Sequence, residues 1–350
     1  MGINAGITLE DIATMSGVSK ATVSRVLNNS AYVSEATKNK VEAVLDELSY
    51  QRPNANVKWQ VDYDEITIVV DNQQNASGAH TFFGGIFSTL ENQAHELGLS
   101  VKLVRVPRSL NLFSDKLKQS RAIILIGVDN KNVLDMVREQ QVPTVIINGV
   151  DSECQISSVS PDYYLGAYMA TRLLIKNGHS RIKMLTSNIN HTTRLRQEGF
   201  RKAMNEAGMS TQNCIIDFEK LDPVNSPQDT DFAASRLLPS IIENGELDDY
   251  TAIVCMCDMI AISLTDTLEE FGISVSDKFA IVGFDNIEAS RFNSPPLTTI
   301  TSEISGLCTM ALNTLVQVSN NPSTAGARIS TAVTLIERES TQITVENTPK

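Results

Sequence analysis

The chain has 350 residues, 42% of them apolar, with 29 basic and 41 acidic side chains and a net charge of −12. Its length suggests about two or three domains, its apolar share argues against disorder, and no run of about 18 apolar residues is present to span a membrane. The amino terminus has no basic stretch followed by an apolar one, so no secretory signal is expected and the protein is expected in the cytoplasm.

The charge is unevenly placed. Residues 1–60 hold six basic and six acidic groups, so residues 61–350 carry the whole excess of acid. Within residues 12–40 four basic groups face one acidic group. A locally positive surface binds phosphate even on an acidic molecule.

Residues 8–49 read as three short helices. Thr8 caps the first, with Glu10 and Asp11 near its positive end, and Gly17 breaks it. Ser19 caps the second, Lys20 to about Leu27, with Val23, Val26 and Leu27 inward. Ser34 caps the third, Glu35 to Leu48, with Val41, Val44, Leu45 and Leu48 at helical spacing. Two helices joined by a glycine-containing turn form a helix-turn-helix, whose second helix enters the major groove. Its outer side carries Lys20, Ala21, Thr22, Ser24 and Arg25. Arg25 suits bidentate contact with guanine, and Ala21 offers a small apolar surface to the thymine methyl. The Thr22 and Ser24 hydroxyls suit phosphate oxygens. A plain three-helix bundle with a hydroxyl-rich outer face fits the same pattern.

Pro53 and the polar run Asn54-Ala55-Asn56 mark a linker. From residue 66 apolar runs alternate with amphipathic stretches: 66–70, 101–106, 122–128, 143–148, 182–187, 252–256 and 279–284. Short apolar strands separated by helices predict parallel sheets covered on both faces. The stretches 95–104 and 205–216 share a helix–glycine–strand pattern, which hints at two similar α/β lobes.

In open α/β sheets ligands sit at the carboxyl ends of strands. Asp71 and Asn72 follow the first strand, Asp258 follows 252–256, Asp285 follows 279–284, and Arg196 lies in the helix after 182–187. Asp and Arg flanking a small cleft accept and donate hydrogen bonds to vicinal hydroxyls, which fits a sugar. Phe218 is a candidate ring for a sugar's apolar face. Capping and lobe–lobe ion pairing are the plainer readings of these residues.

No enzymatic site is expected. A G-x-x-x-x-G-K-[ST] phosphate loop is missing, and His80, His95, His179 and His191 are dispersed, with His179 suiting a helix carboxyl end. The five cysteines, at 154, 214, 255, 257 and 308, make neither a disulfide framework nor a metal site. No cofactor is expected.

The order Thr8-Leu-x-Asp11-Ile-Ala-x-x-x-Gly17-Val-Ser19-x-x-Thr22-Val-Ser-Arg25-Val-Leu-Asn28, then Val33-Ser34-x-x-Thr37 and Leu48-x-Tyr50, strongly resembles the headpiece of the lactose-repressor (LacI/GalR) family. The likeness continues through Gly166-Ala, Asn177-Gly-His179-x-Arg-Ile182, Arg196-x-x-Gly199-Phe, Val282-Gly-Phe-Asp285-Asn and Pro296-Leu-Thr-Thr-Ile300. It implies a small all-α headpiece and a two-lobed α/β core like that of periplasmic sugar-binding proteins, its lobes joined by three crossings around an effector. The expected boundaries are 1–50 for the headpiece, 51–63 for the hinge and 64–345 for the core. The first lobe takes about 64–160 plus 290–320, the second about 161–289 plus 321–345.

By position, the resemblance makes Lys20, Ala21 and Arg25 base-reading residues. It makes Thr8, Ser19, Thr22, Ser24, Asn28, Ser34 and Thr37 phosphate-contacting or capping residues. Positions matching Arg196 and Asp285 commonly touch the effector in this family, and Phe82 and Phe83 match an aromatic pair at the cleft mouth. A homodimer, or a tetramer of such dimers, on two-fold operator DNA is implied, with a small effector and no membrane partner.

The chain departs from the family in three places. In the hinge, either Trp59 or Gln60 takes the place of the leucine that wedges into the minor groove, and Trp59 is the apolar candidate. Cys257-Asp258 replaces Asn-Asp, and Tyr163 replaces the asparagine usual after Asp162. The resulting expectation is a repressor of carbohydrate-utilisation genes with a sugar effector. Its alternative is a corepressor-dependent regulator responding to a purine or phosphorylated metabolite, ranked lower because no aromatic sandwich for a base is evident in the sequence.

Overall fold

The structure, a computed structural model, describes residues 9–27, 33–48, 61–70, 81–107, 109–224, 229–322 and 325–342. The chain divides into two compact units, Met1–Gln60 and Val61–Lys350.

The first unit holds α1 (Leu9–Ser16), α2 (Lys20–Leu27) and α3 (Glu35–Glu47). Gly17 turns the chain between α1 and α2 at φ +67°, a conformation that costs glycine nothing. The two expected caps that fall on described residues are present. The Ser19 hydroxyl accepts the Thr22 backbone N–H at 3.2 Å, and Ser34 accepts that of Thr37 at 3.4 Å. In each pair the two hydroxyls also lie 2.9 Å apart. Ile12, Ala13, Val23, Val26, Val41, Val44 and Leu45 form one buried cluster, as their spacing predicts.

The described residues of the second unit form two six-stranded sheets. The first runs in the order β11-β5-β4-β3-β1-β2, built from β1 (Glu65–Val70), β2 (Ser100–Arg105), β3 (Ile123–Ile126), β4 (Thr144–Ile147), β5 (Ser157–Pro161) and β11 (Arg328–Thr331). The second runs β12-β10-β9-β8-β6-β7, from β6 (Ile182–Thr186), β7 (Ile215–Asp217), β8 (Ala252–Cys255), β9 (Ala280–Phe284), β10 (Thr298–Ser302) and β12 (Val333–Ile336). Among the described residues all pairings are parallel except β10 with β12. Central strands such as β3, β4 and β8 are buried at every residue, as sheets covered on both faces require. All seven strands expected from apolar runs are present. The two similar stretches also hold: α4 (Phe82–Glu96) leads through Gly98 to edge strand β2, and α8 (His191–Glu206) leads through Gly208 to edge strand β7.

The lobe boundaries differ from expectation. The expected division placed 290–320 wholly in the first lobe, but β10 lies parallel to β9 in the second, with Thr298 opposite Val282. The chain returns to the first lobe only with α14 (Ile304–Asn320), whose Cys308 thiol reaches the Ile86 carbonyl in α4. It stays there through β11, not to residue 320, and crosses a last time into β12. The crossings lie side by side, since the Asp162 N–H bonds to the Thr331 carbonyl at 2.9 Å.

Gly199 explains one recurring motif position. In α8 it faces α7 (Tyr163–Lys176), and a Cβ there would lie 2.1 Å from the Tyr164 carbonyl oxygen. The two helix backbones approach this closely only because that atom is missing.

Candidate functional site

In the first unit, α2 spans the expected recognition residues. Ser19 and Lys20 are exposed and Thr22 is half-buried. Ala21, Ser24 and Arg25 lie within α2, where only their backbone is described. Ser34 is exposed and Thr37 half-buried at the start of α3. Ser19, Thr22, Ser34 and Thr37 are therefore engaged in capping, and exposed hydroxyls at two helix starts also suit phosphate contacts. Thr8, Asn28, Tyr50 and Trp59 lie outside the described residues, as does the hinge segment 51–60.

In the second unit a cleft of about 110 Å³ opens between the lobes at the carboxyl ends of the strands. The first lobe contributes Thr81, Phe82, Phe83 and Asn148; the second contributes residues from four segments, including Asn190, Arg196, Phe232, Cys257 and Asp285. Four of the eight residues expected at the effector thus meet here: Phe82, Phe83, Arg196 and Asp285. Asp71 and Asn72 lie outside the described residues.

Arg196 and Asp285 form the polar centre. The guanidinium is 3.7 Å from the carboxylate, with both side chains largely buried. Asp285 Oδ1 and Arg196 Nε each lack a hydrogen-bond partner among the described residues. A buried acceptor and a buried donor without partners are costly, so this pair is a candidate for ligand contact. Burial pushes the Asp285 carboxyl up to about 7, against the pull of Arg196. The guanidinium also stacks 3.9 Å from the centre of the Tyr163 ring and 4.6 Å from that of Phe284.

The cleft's turns are strained. Asn148, Phe232, Asp285 and Asn286 have φ of 58°, 57°, 105° and 52°. Non-glycine residues held in this region cost about 1–3 kcal/mol each and persist where the surroundings dictate the geometry.

Two expected residues are elsewhere. Phe218 opens α9 (Phe218–Leu221), is fully buried in the second lobe's core, and does not line the cleft. An apolar ring entering a helix beside an edge strand packs against its own sheet. Asp258, at the start of α11 (Asp258–Glu270), is also fully buried. Its oxygens accept from the Thr299 hydroxyl at 2.6 Å and the Ile287 N–H at 2.9 Å. It anchors the loop after β9 from below rather than facing a ligand. Burial raises its carboxyl well above the usual range.

Sequence reasoning missed Phe232, Asn148 and Asn190. Phe232 is the lone ring closing the polar run 225–231, a signal that was available. Asn148 directly follows β4, again at a strand's carboxyl end. Asn190 caps α8, accepting the Thr193 N–H at 3.0 Å. Cys257 does line the cleft, and burial raises its thiol, so it presents a neutral, weakly bonding surface where an amide was expected. Among the described lining residues Arg196 is the one cation, and the lining carboxylate Asp229 is held by Arg236 at 2.7 Å.

Residues 8–54 match the family model described as bacterial regulatory proteins, lacI family, and residues 153–341 match the periplasmic binding protein-like domain. The HTH-type transcriptional repressor PurR of Photobacterium profundum is 31% identical over 305 residues, which are 84% of this chain and 86% of the relative. The HTH-type transcriptional regulator GalR of Escherichia coli is 29% identical over 329 residues, 90% of each chain. Among solved structures, a complex of the transcriptional regulator CelR with cellobiose superposes with a TM-score of 0.67 at 26% identity, covering 95% of this chain and 99% of that one. A lac repressor dimer bound to operator and the anti-inducer ONPF gives 0.65 at 23% identity, covering 96% and 99%, a likeness of fold.

Proposed function

Since this chain belongs to the lacI family of bacterial regulatory proteins, we propose that it represses transcription by binding a two-fold operator as a homodimer, with a small neutral sugar in the interlobe cleft controlling that binding. Each headpiece takes one half-site. Lys20, Ala21 and Arg25 read base edges, and the hydroxyls of Ser19, Thr22, Ser34 and Thr37 meet phosphates.

One observation carries the choice of ligand. The partnerless Asp285 oxygen and Arg196 nitrogen belong to two residues that line a cleft walled by Phe82, Phe83 and Phe232. A vicinal diol donates to the carboxylate and accepts from the guanidinium, while the sugar's C–H face packs on a ring. A phosphorylated metabolite fits less well, because the one lining cation among the described residues is already matched by Asp285. The cellobiose in the CelR complex agrees in chemical class. A sugar that prefers one lobe arrangement shifts operator affinity only by its differential affinity for the two arrangements.

A second reading draws on the same rings. Phe232, which the sequence did not reveal, joins the expected pair Phe82 and Phe83 in one cleft, and a purine acting as corepressor would pack against these rings.

A thermal-shift screen of monosaccharides, disaccharides, purine bases and sugar phosphates separates the readings. It is followed by titration of a duplex selected from genomic fragments, with and without the hit. Stabilisation by a sugar that also changes duplex affinity is the expected result. Stabilisation by purine bases alone would replace the sugar reading with the second one.

A further inference from the structure

We infer that Tyr163 is a positioning residue that ties the two lobes together beside the cleft and holds Arg196 in its working orientation. Tyr163 opens α7 in the second lobe, directly after a crossing, and is fully buried. Its hydroxyl donates to Asn148 Oδ1, and Asn148 belongs to the first lobe, where it lines the cleft. On its face the ring carries the Arg196 guanidinium at 3.9 Å, and on its flank it packs against Phe284, with ring centres 5.4 Å apart. One side chain therefore touches a cleft residue of each lobe while lining no part of the cleft itself.

Three features make this contact consequential. The bond is buried, so water does not replace it at low cost when it breaks. It sits next to the crossing where the Asp162 N–H meets the Thr331 carbonyl, so the lobes are pinned near their pivot. A second link between the lobes, from the His191 N–H to Asp129 Oδ2, is long at 3.4 Å and correspondingly weaker. Opening the cleft must part Tyr163 from Asn148, and a ligand that engages Arg196 or Asn148 meets groups already held in place. Asparagine, usual at this position in the resembling family, has no ring for a guanidinium to stack on.

The inference deepens the proposed cleft reading and rests on it for its bearing on the effector, but the lobe link is testable without any ligand. Hydrogen–deuterium exchange is followed in the full-length, ligand-free protein at residues 81–85 and 148–150 of the first lobe and 189–193 of the second, the two sides of the cleft. Tyr163→Phe keeps the stacked ring and removes the hydroxyl. Asn148→Ala removes the acceptor. Each should raise exchange there by about 2- to 12-fold, the range that follows from one net hydrogen bond. The double variant should exchange no faster than either single one, while the headpiece core keeps wild-type protection. Tyr163→Leu, which also removes the ring, should in addition lower affinity for whichever compound class stabilises the protein in the screen. Wild-type exchange in Tyr163→Phe, or additive effects in the double variant, would overturn the link. A screen that favours purines over sugars would overturn the ligand reading and leave the link standing.

Discussion

Arg196 stands 3.7 Å from Asp285, and neither residue's buried polar atoms are fully satisfied by that pairing. An ideal bidentate pair would leave nothing for a ligand to do. This looser one leaves a buried donor and a buried acceptor unsatisfied in two residues that line the cleft, and the proposed binding role of the pair rests on that.

The Asp285 carboxyl gives the site a pH signature. Its folded value, pushed up to about 7 by burial, lies above the 3.8 of an ordinary aspartate. Ionisation thus costs the folded state. The cost is absent below about pH 4, grows up to the folded value and is constant above it. Stability should fall across that window. Sugar affinity should do the opposite, rising as Asp285 ionises and becomes a full acceptor. Calorimetric titration of the screened sugar across this range checks it, with Asp285→Asn expected to flatten the profile; a pH-independent affinity in the native protein would remove Asp285 from the site.

Phe232 and Phe218 should separate cleanly on truncation. Phe218→Ala opens a cavity in the second lobe's core and should cost roughly 3–5 kcal/mol of stability. Phe232 is only partly buried and lines the cleft, so Phe232→Ala should cost less stability and more ligand affinity. Denaturation midpoints paired with ligand titrations distinguish the two. The reverse ranking would restore Phe218 as the cleft ring.

Gly199→Ala tests the packing of α7 on α8. The added methyl meets backbone, not a flexible side chain, at 2.1 Å, so the helices must separate. Overpacking of this kind costs about 1–3 kcal/mol. Urea denaturation should show the loss, with an unchanged midpoint meaning that the helices slide apart freely.

Arg25→Ala should weaken binding to the selected duplex by about 1–3 kcal/mol and relax base preference at one position. Gel-shift titration on selected and scrambled duplexes measures both. Equal loss on the two would assign Arg25 to phosphate rather than to a base.

Much of the architecture is legible in the residues themselves because its signals are local. Ser19 with Thr22 and Ser34 with Thr37 cap helices through bonds three residues apart, and the headpiece valines repeat at helical spacing. Apolar runs mark the central strands, which are buried on both faces. Asp285 is conspicuous as a charged group directly after an apolar strand, and Arg196 as a charged group in the helix that follows another. The missed features depend on distant segments. The second lobe keeps β10 because β9 offers it a parallel edge, a choice made across the sheet. Phe232 faces the cleft, and Phe218 does not, because of a left-handed turn at Phe232 and Ala233 that no periodicity announces. The position of Asp258 after a strand suggests a ligand residue, but Thr299 and the Ile287 amide claim both its oxygens from beneath. Local patterns determined which elements form and which charges are unusual. Only the packing of segments far apart in the chain decided which of those charges, and which rings, share a cleft.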